Sequence, residues 1–212
     1  MLNTKNNTEP SETLPVIIAK RVSVLPSESD WQRADAAGIE RDIKSGALAA
    51  DLRTTVRVLW SSAYFFIRYD SPYRQLTVFE PAIFEGKRIG LWNRDVVEVF
   101  ISTDTHVPNR YAEFQTAPTG ERLDLRLDLP HRDFLWDSGF TSRVSIDTQC
   151  RIWRTDIQIP AETFSAAMSA GQSWRINFYR HDCGENRFLG WSPTFSETAH
   201  VPERFGTLHF EG

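Results

Sequence analysis

The sequence predicts an all-β fold, an antiparallel β-sandwich of jelly-roll type with one or two short helices. From Leu52 onward apolar residues recur with a period close to two, and the β-branched and aromatic residues that favour strands are enriched. Turn sequences such as Pro118-Thr119-Gly120 separate these runs. The chain has 212 residues, 41% of them hydrophobic, which is enough to bury the core of one domain. Many short strands with little helix between them are typical of two stacked antiparallel sheets.

The first elements are predicted from short patterns. Residues 1–15 are polar and contain two prolines, so we expect a flexible N-terminal tail, followed by a single β-sandwich domain over residues 16–212. The apolar run 16–19 predicts the start of the folded part. Residues 30–34 predict a brief helix or turn with Trp31 pointing inward.

The central elements show clearer alternation. Residues 54–60 and 64–70 flank a short Ser-Ser-Ala turn and predict a hairpin, and residues 121–129 alternate leucines with charges, as in a half-buried strand. A helix is predicted over residues 161–168, because Pro160 precedes it and Gly171 follows. Further strands are predicted over residues 96–102, 111–116, 142–147, 150–159, 173–180 and 206–210.

Composition excludes several classes of protein. The formal net charge of −4 provides no broad positive field, so we expect no nucleic-acid partner. No run approaches the ~20 apolar residues of a membrane span, and the first residues lack the apolar run of a signal peptide. We therefore expect no membrane partner and a cytoplasmic location by default, with localisation otherwise open. Cys150 and Cys183 either form one bridge or remain two free thiols.

One carboxylate stands in an otherwise apolar strand. Glu98 lies six residues after Trp92, and strict alternation places Val96 and Phe100 on its face. A charge in a strand buried on both sides needs a partner or a cavity to offset its desolvation. Two interpretations stay open, an ion pair with Arg180 and a site that binds hydroxyl groups.

Two tryptophans are candidates for a ligand site. Trp191 lies between Gly190 and Pro193 in a turn-like sequence, and loops on rigid scaffolds often carry binding residues. Trp92 either plugs one edge of the sandwich or binds a ligand. A pyranose offers apolar C–H faces to aromatic rings, while its hydroxyls need fixed donors and acceptors. We therefore expect a sugar between Trp92 and Trp191, with Glu98 reaching into the gap.

Three further polar side chains are candidates to bond the hydroxyls of such a ligand. Gln115 and Asn177 are amides in predicted strands, and each can donate and accept at once. Arg180 ends the strand that contains Asn177. Either amide could equally satisfy a backbone group in the core.

The carboxylates and histidines form no evident catalytic or metal-binding set. Hydrolysis of a glycosidic bond usually needs two carboxyl groups facing one another, but Asp95 and Glu98 are three residues apart on a strand and point to opposite faces. The five histidines lack the spacing of a transition-metal site. Asp104 and Asp182 lie in polar loops and are weak candidates for calcium ligands, since ordinary surface loops explain them better.

The order of several short motifs resembles the family 9 carbohydrate-binding modules and their DOMON-like relatives. The resemblance covers residues 52–210. The motifs are residues 54–60 followed by 64–66, 95–101, 111–114, 153–160, 175–180, 191–193 and 202–208.

The resemblance implies a β-sandwich that binds saccharides without catalysis, commonly attached to a glycoside hydrolase in polysaccharide breakdown, outside the cytoplasm and with a structural calcium ion. In such modules two tryptophans clamp a terminal sugar, and a glutamate six positions after the first bonds its hydroxyls. Trp92, Glu98 and Trp191 occupy matching positions, while Gln115 stands where the family can have an arginine.

Two alternative functions remain at this stage. One is an enzyme acting on sugars through Asp95, Glu98 and Asp182, which are expected near the same end of the sheet. The other is a DOMON-like module that binds a protein or haem, for which the sequence offers no defined axial His or Met pair. No cofactor is certain, and a saccharide is the expected partner.

Overall fold

The computed structural model describes residues 13–212, which form fourteen β-strands, one short α-helix and four 3₁₀ turns. The helix, α1, spans Glu28–Arg33, and the 3₁₀ turns are Ala50–Leu52, Leu91–Asn93, Ala161–Thr163 and Pro202–Arg204. The strands are β1 (Val16–Arg21), β2 (Ala36–Ile39), β3 (Arg41–Asp42), β4 (Thr54–Trp60), β5 (Tyr64–Pro72), β6 (Val96–Ser102), β7 (Arg110–Thr116), β8 (Arg122–Asp128), β9 (His131–Asp133), β10 (Thr141–Asp147), β11 (Ile152–Pro160), β12 (Ser173–Asp182), β13 (Arg187–Gly190) and β14 (Gly206–Glu211).

The strands form one curled sheet whose two halves pack face to face. The first half has the order β10-β11-β5-β4, with β2 also paired to β4, and the second has the order β14-β12-β6-β7-β8-β9, with β13 paired to β12 and to β3. Strand β1 joins the halves, because it pairs in parallel with β14 and, through its last two residues, with β4. The all-β sandwich is therefore confirmed, and the antiparallel prediction holds except at β1.

The main core lies between the two halves. From the first half, Val58 and Ile67 point into it, and from the second, Val99 and Phe178 do. The predicted hairpin is present, with Trp60 opposite Phe65 in an antiparallel β4–β5 pair. Burying these β-branched and aromatic side chains supplies ~1.5–3 kcal/mol each, which is the dominant favourable contribution to folding.

The outer faces of the two halves carry separate clusters. On the first half, α1 places Trp31 against Leu59 and Phe66. Ser27 caps this helix and exchanges bonds with Asp30 in a capping box, so the brief helix predicted near Trp31 begins at Glu28. On the second half, a larger outer cluster forms around alternate residues of β6, β7 and β8. Strand β6 is therefore buried on both faces, as its near-continuous apolar sequence indicates.

The helix predicted over residues 161–168 is wrong. Only the 3₁₀ turn Ala161–Thr163 forms, and Phe164 then takes an extended conformation with φ −94° and ψ 140°. Its ring packs on Trp174 with centroids 4.9 Å apart, which fixes the backbone in a geometry that a helix cannot have.

Three other sequence predictions concern the chain ends, the thiols and membranes. The flexible tail predicted for residues 1–15 falls mostly outside the described residues. Cys150 and Cys183 are free thiols. Among residues 13–212, no helix combines the length and apolar character needed to cross a bilayer.

Candidate functional site

A pocket of about 360 Å³ opens on the outer face of the second half. We call it the outer pocket. Its floor consists of side chains from β6, β7 and β8, and loops after β8 and β13 and around the turn Leu91–Asn93 form its walls. The lining residues are Trp92, Glu98, Phe100, Glu113, Gln115, Leu125, Arg132, Phe134, His181, Phe188, Glu197, Thr198, Ala199 and His200.

Strand register brings two carboxyl groups and an amide together on the floor. Glu98 lies opposite Gln115 in the antiparallel β6–β7 pair, and Glu113 is two residues from Gln115 on the same face. All three are buried, with 2%, 3% and 1% of the surface of Glu98, Glu113 and Gln115 exposed. The Nε2 of Gln115 donates a hydrogen bond to the Oε1 of Glu113.

The floor is rich in hydrogen-bond acceptors that have no donor. The Oε1 of Glu98, the Oε2 of Glu113 and the Oε1 of Gln115 are buried and meet no donor within residues 13–212. On the other side of Glu98, the hydroxyl of Tyr179 is already committed, since it donates to the carbonyl of Ala199 at 3.0 Å. Unpaired buried polar atoms cost free energy, so three of them in one pocket indicate a place for a polar ligand.

Burial changes the protonation of these acids. Desolvation raises the pKa of Glu98 well above its usual range, and the neighbouring Glu113 carboxylate raises it further. Desolvation also raises the pKa of Glu113 to about 7, although the bond from Gln115 and the charge of Arg132 act in the opposite direction. Both acids are therefore more protonated near neutral pH than a solvent-exposed carboxyl group, because two carboxylates in one buried site resist full ionisation.

Aromatic rings form one wall. Trp92 lies in the turn Leu91–Asn93, which follows Gly90 in the left-handed conformation (φ 84°), a geometry that favours glycine. The centroids of Trp92 and Phe134 are 6.3 Å apart with 35° between the planes, and Phe188 also lines the pocket. The half-buried Trp92 and Phe134 present flat apolar surfaces beside the polar floor.

Two histidines also line the pocket. The Nδ1–H of His181 donates to the carbonyl of Trp92 at 2.8 Å, so the neutral ring offers Nε2 as an acceptor. His200 stacks on Phe100 with centroids 5.1 Å apart and shares a 2.7 Å hydrogen bond with the hydroxyl of Tyr111. Burial, and secondarily the charge of Arg132, lowers the pKa of His200 to about 4, so its ring is neutral at physiological pH.

The structure does not place Trp191 opposite Trp92. Trp191 continues the register of β13 opposite Phe178, whose side chain faces the main core, and the two ring centroids are 5.5 Å apart. Its ring also fills the space above Gly206, where an added Cβ would lie 2.4 Å from the indole. Trp191 therefore packs on the inner face and Trp92 on the outer face, so the expected pair of stacking tryptophans is wrong.

Arg180 and Asn177 also have structural partners. Arg180 lies opposite Val97 in the β6–β12 register, hence on the inner face, where its Nη2 is 2.8 Å from the carboxylate of Asp182. The proposed ion pair with Glu98 is therefore wrong. Asn177 shares the outer face but donates to the Tyr179 hydroxyl and the Ser192 carbonyl at 2.7 and 2.8 Å. It fixes the loop after β13 and does not line the outer pocket.

Three of the acids proposed for catalysis or calcium binding, Asp95, Asp104 and Asp182, accept hydrogen bonds from neighbouring groups of the fold. Both oxygens of Asp95 accept backbone N–H groups, those of Thr77 and Cys183, and Asp95 and Asp182 lie outside the pocket lining. Asp182 and Asp104 sit near opposite ends of the β6–β12 pair. Within residues 13–212, no three His, Cys, Asp or Glu side chains converge as a metal site would require.

Sequence reasoning missed Glu113, both histidines and the phenylalanine wall. A signal for Glu113 existed, because alternation places Tyr111, Glu113 and Gln115 on one face of the same strand. His181 lies near the end of the long strand β12, whereas His200 and Phe134 come from loops. Their convergence depends on how those segments fold over the sheet, which periodicity does not reveal.

Comparisons with known proteins agree with this architecture. A sequence profile described as "Carbohydrate family 9 binding domain-like" matches residues 27–212. A protein of Arthroderma benhamiae named as an extracellular protein is 23% identical over 176 residues, which cover 74% of this chain and 78% of that protein.

Solved structures share the fold at low sequence identity. A candidate carbohydrate-binding protein of Bacteroides uniformis superposes with a TM-score of 0.76 at 18% identity, over 94% of this chain and 100% of that chain. A family 9 carbohydrate-binding module of Caldicellulosiruptor kristjanssonii, crystallised with glucose, gives 0.66 at 13% identity over 93% and 96% of the two chains. A structure of such a module with cellotriose gives 0.68 at 12% identity over 93% and 94%.

Proposed function

Since the chain belongs to the carbohydrate family 9 binding domain-like proteins, we propose that its outer pocket binds one end of a saccharide without catalysing a reaction. The observation that carries this proposal is the combination of a half-buried aromatic wall with three unpartnered buried acceptors on the floor. Structural neighbours were crystallised with glucose and with cellotriose, which supports a saccharide as the ligand class.

The proposed contacts follow from the chemistry of the lining residues. Trp92 stacks on the apolar face of a pyranose, and the edge of that ring is directed to the floor. There Glu98 and Gln115 accept hydrogen bonds from hydroxyl groups, and the Nε2 of His181 accepts another. Each acceptor gains a donor that the protein itself does not supply.

The arrangement of the two pocket carboxyl groups supports binding rather than hydrolysis. Glu98 and Glu113 project from adjacent strands of one sheet onto the same floor. Glycosidases place two carboxyl groups on opposite sides of the scissile bond, at separations that leave room for the sugar or a water. A ligand above this floor would meet both carboxyl groups from the same side.

Isothermal titration calorimetry with glucose, cellotriose and a panel of other oligosaccharides tests the proposal. We expect the wild type to bind at least one of them, and Trp92→Ala to weaken that binding about tenfold or more, since loss of a stacking ring costs about 1–3 kcal/mol. Trp136→Ala is the matched control, because Trp136 stacks under Arg126 outside the outer pocket. Failure of the wild type to bind any saccharide would contradict the proposal, as would equal losses in the two variants.

A further inference from the structure

The described residues bury six acidic side chains, and four of them are fully partnered. Both carboxylate oxygens of Asp95, Glu121, Asp124 and Asp182 accept a hydrogen bond from a backbone N–H, a hydroxyl or a basic side chain. Glu98 and Glu113 differ, since each has a buried oxygen with no donor, and both lie on the floor of the outer pocket. The fold therefore satisfies its acids everywhere in the described chain except at this floor.

The missing donors define the group that would fill the site. Together with the Oε1 of Gln115, the two carboxyl groups present three acceptors that need three donors. A cation bound beside them would favour the ionised, negatively charged form of both carboxyl groups. A sugar hydroxyl offers one donor and no charge. A protonated primary amine offers three donors from a single atom together with a positive charge, and hydrogen bonds between two charged groups are about twice as strong as neutral ones.

We propose that the outer pocket selects a saccharide whose bound residue carries a protonated primary amine, held by Glu98, Glu113 and Gln115. This inference rests on the proposed function and names the class of its ligand: an amino sugar rather than a neutral hexose. Trp92 stacks on the ring in the same way for both classes. The charge of the ammonium group favours ionisation of both carboxyl groups, so its binding displaces protons that burial otherwise retains there.

The other charged and titratable groups of the pocket are compatible with a cationic ligand. His200 is held neutral by burial, and His181 keeps its Nε2 as an acceptor when neutral. Glu197 forms an ion pair with Lys44 at the rim. Arg132 is the arginine among the lining residues; it is exposed on the short edge strand β9, and although its charge acts on Glu113, it donates no hydrogen bond to the unpartnered oxygen of either floor carboxyl group.

Calorimetry at neutral pH on the wild type, freed of metal with a chelator, tests the inference. The probes are glucose, the glucose analogues with an amine at C2, C3 or C6, and N-acetylglucosamine. We expect at least one amine to bind about tenfold or more tightly than glucose, and N-acetylglucosamine to show no such gain, because its amide is uncharged. If glucose binds and no amine binds more tightly, the inference fails while the proposed function stands. If no sugar binds, both fail.

Two variants test whether the carboxyl groups of the floor cause the preference for the amine. Glu113→Gln should reduce the preference for the amine over glucose to about threefold or less while glucose still binds. Glu85→Gln removes the same charge at an exposed position outside the outer pocket and should leave the preference unchanged. Circular dichroism and thermal unfolding establish that each variant is folded; if Glu113→Gln does not fold, Glu98→Gln serves in its place. A preference for the amine that persists in the folded floor variant would overturn the inference. Binding of added Ca²⁺ to the floor in place of the amine would also overturn it.

Discussion

The two carboxyl groups of the outer pocket and the buried ion pair of Arg180 and Asp182 show opposite solutions to the same problem. Asp182 is 2% exposed and has a guanidinium 2.8 Å away. Glu98 and Glu113 are buried to the same extent, yet neither has such a partner in residues 13–212. Where the fold buries an acid for its own stability, it also supplies hydrogen-bond donors to both carboxylate oxygens. Buried acids without such donors are candidates for ligand binding, because a ligand can supply the missing donors.

Removal of one partner from the buried ion pair should have the largest effect. Asp182→Asn leaves the guanidinium of Arg180 buried without its counterion, so we expect the free energy of unfolding to fall by roughly 3–5 kcal/mol. Urea titration monitored by fluorescence measures it. Asp70→Asn is a control, since Asp70 pairs with Arg154 nearer the surface and should cost less than about 1 kcal/mol. Equal losses would show that burial does not determine how much each ion pair contributes to stability.

Alanine substitution of the two tryptophans should affect different properties, stability in the case of Trp191 and ligand affinity in the case of Trp92. Trp191→Ala removes a ring packed on Phe178 and Gly206, and we expect a loss of roughly 2–4 kcal/mol with ligand affinity retained. Trp92→Ala should cost about 1 kcal/mol of stability and most of the affinity. Thermal unfolding and calorimetry on both variants check this. A loss of binding in folded Trp191→Ala would place that ring at the ligand after all.

The smallest effect is expected in the pH dependence of stability. Glu113 has its pKa raised to about 7 from an unfolded value of 4.5, so the folded state binds more protons in that window and the free energy of unfolding falls as pH rises. The lowered pKa of His200, about 4 against 6.5, acts in the opposite direction below pH 6.5. Above pH 6.5 only the carboxyl contribution remains, and the melting temperature should fall by a few degrees towards pH 8.

Glu113→Gln provides the comparison for that experiment. Without the ionisable group, the decline above pH 6.5 should be smaller, and at pH 8 the unliganded variant should be more stable than the wild type by roughly 1–3 kcal/mol. Thermal scans from pH 5.5 to 8.5 measure both quantities. A wild-type melting temperature that rises between pH 6.5 and 8 would contradict the assigned protonation.

Alternation in the sequence was sufficient to predict most strands but not the role of their faces. The hairpin of β4 and β5 and the strand β6 were found almost to the residue, because their apolar and aromatic residues recur with period two. Strand β6 is buried on both sides, however, so its pattern does not say which face meets the main core. That choice decides whether Glu98 faces a core or a pocket.

Local sequence was least informative where tertiary packing determined the outcome. Gly190 and Pro193 indicate a loop around Trp191, but the residue extends the register of β13 and fills a gap beside Gly206. Pro160 and Gly171 are typical of helix ends. No helix forms between them, because the side chain of Phe164 packs into the main core from an extended backbone. The proximity of Trp92 and Glu98 could be predicted in advance, because the two residues are only six positions apart in the sequence.

The pairing of β1 has a consequence for the order in which the chain assembles. Val16 lies opposite Thr207, a contact between residues from the two extremities of the described chain. Contacts this distant in sequence carry the largest loop-closure entropy, so β1 should dock late, after both halves have formed. Until it docks, the edge of β14 and the Leu59–Trp60 end of β4 present unpaired backbone groups, which can pair with a second molecule. Slow docking of β1 would thus set the window in which the protein is prone to aggregate during refolding.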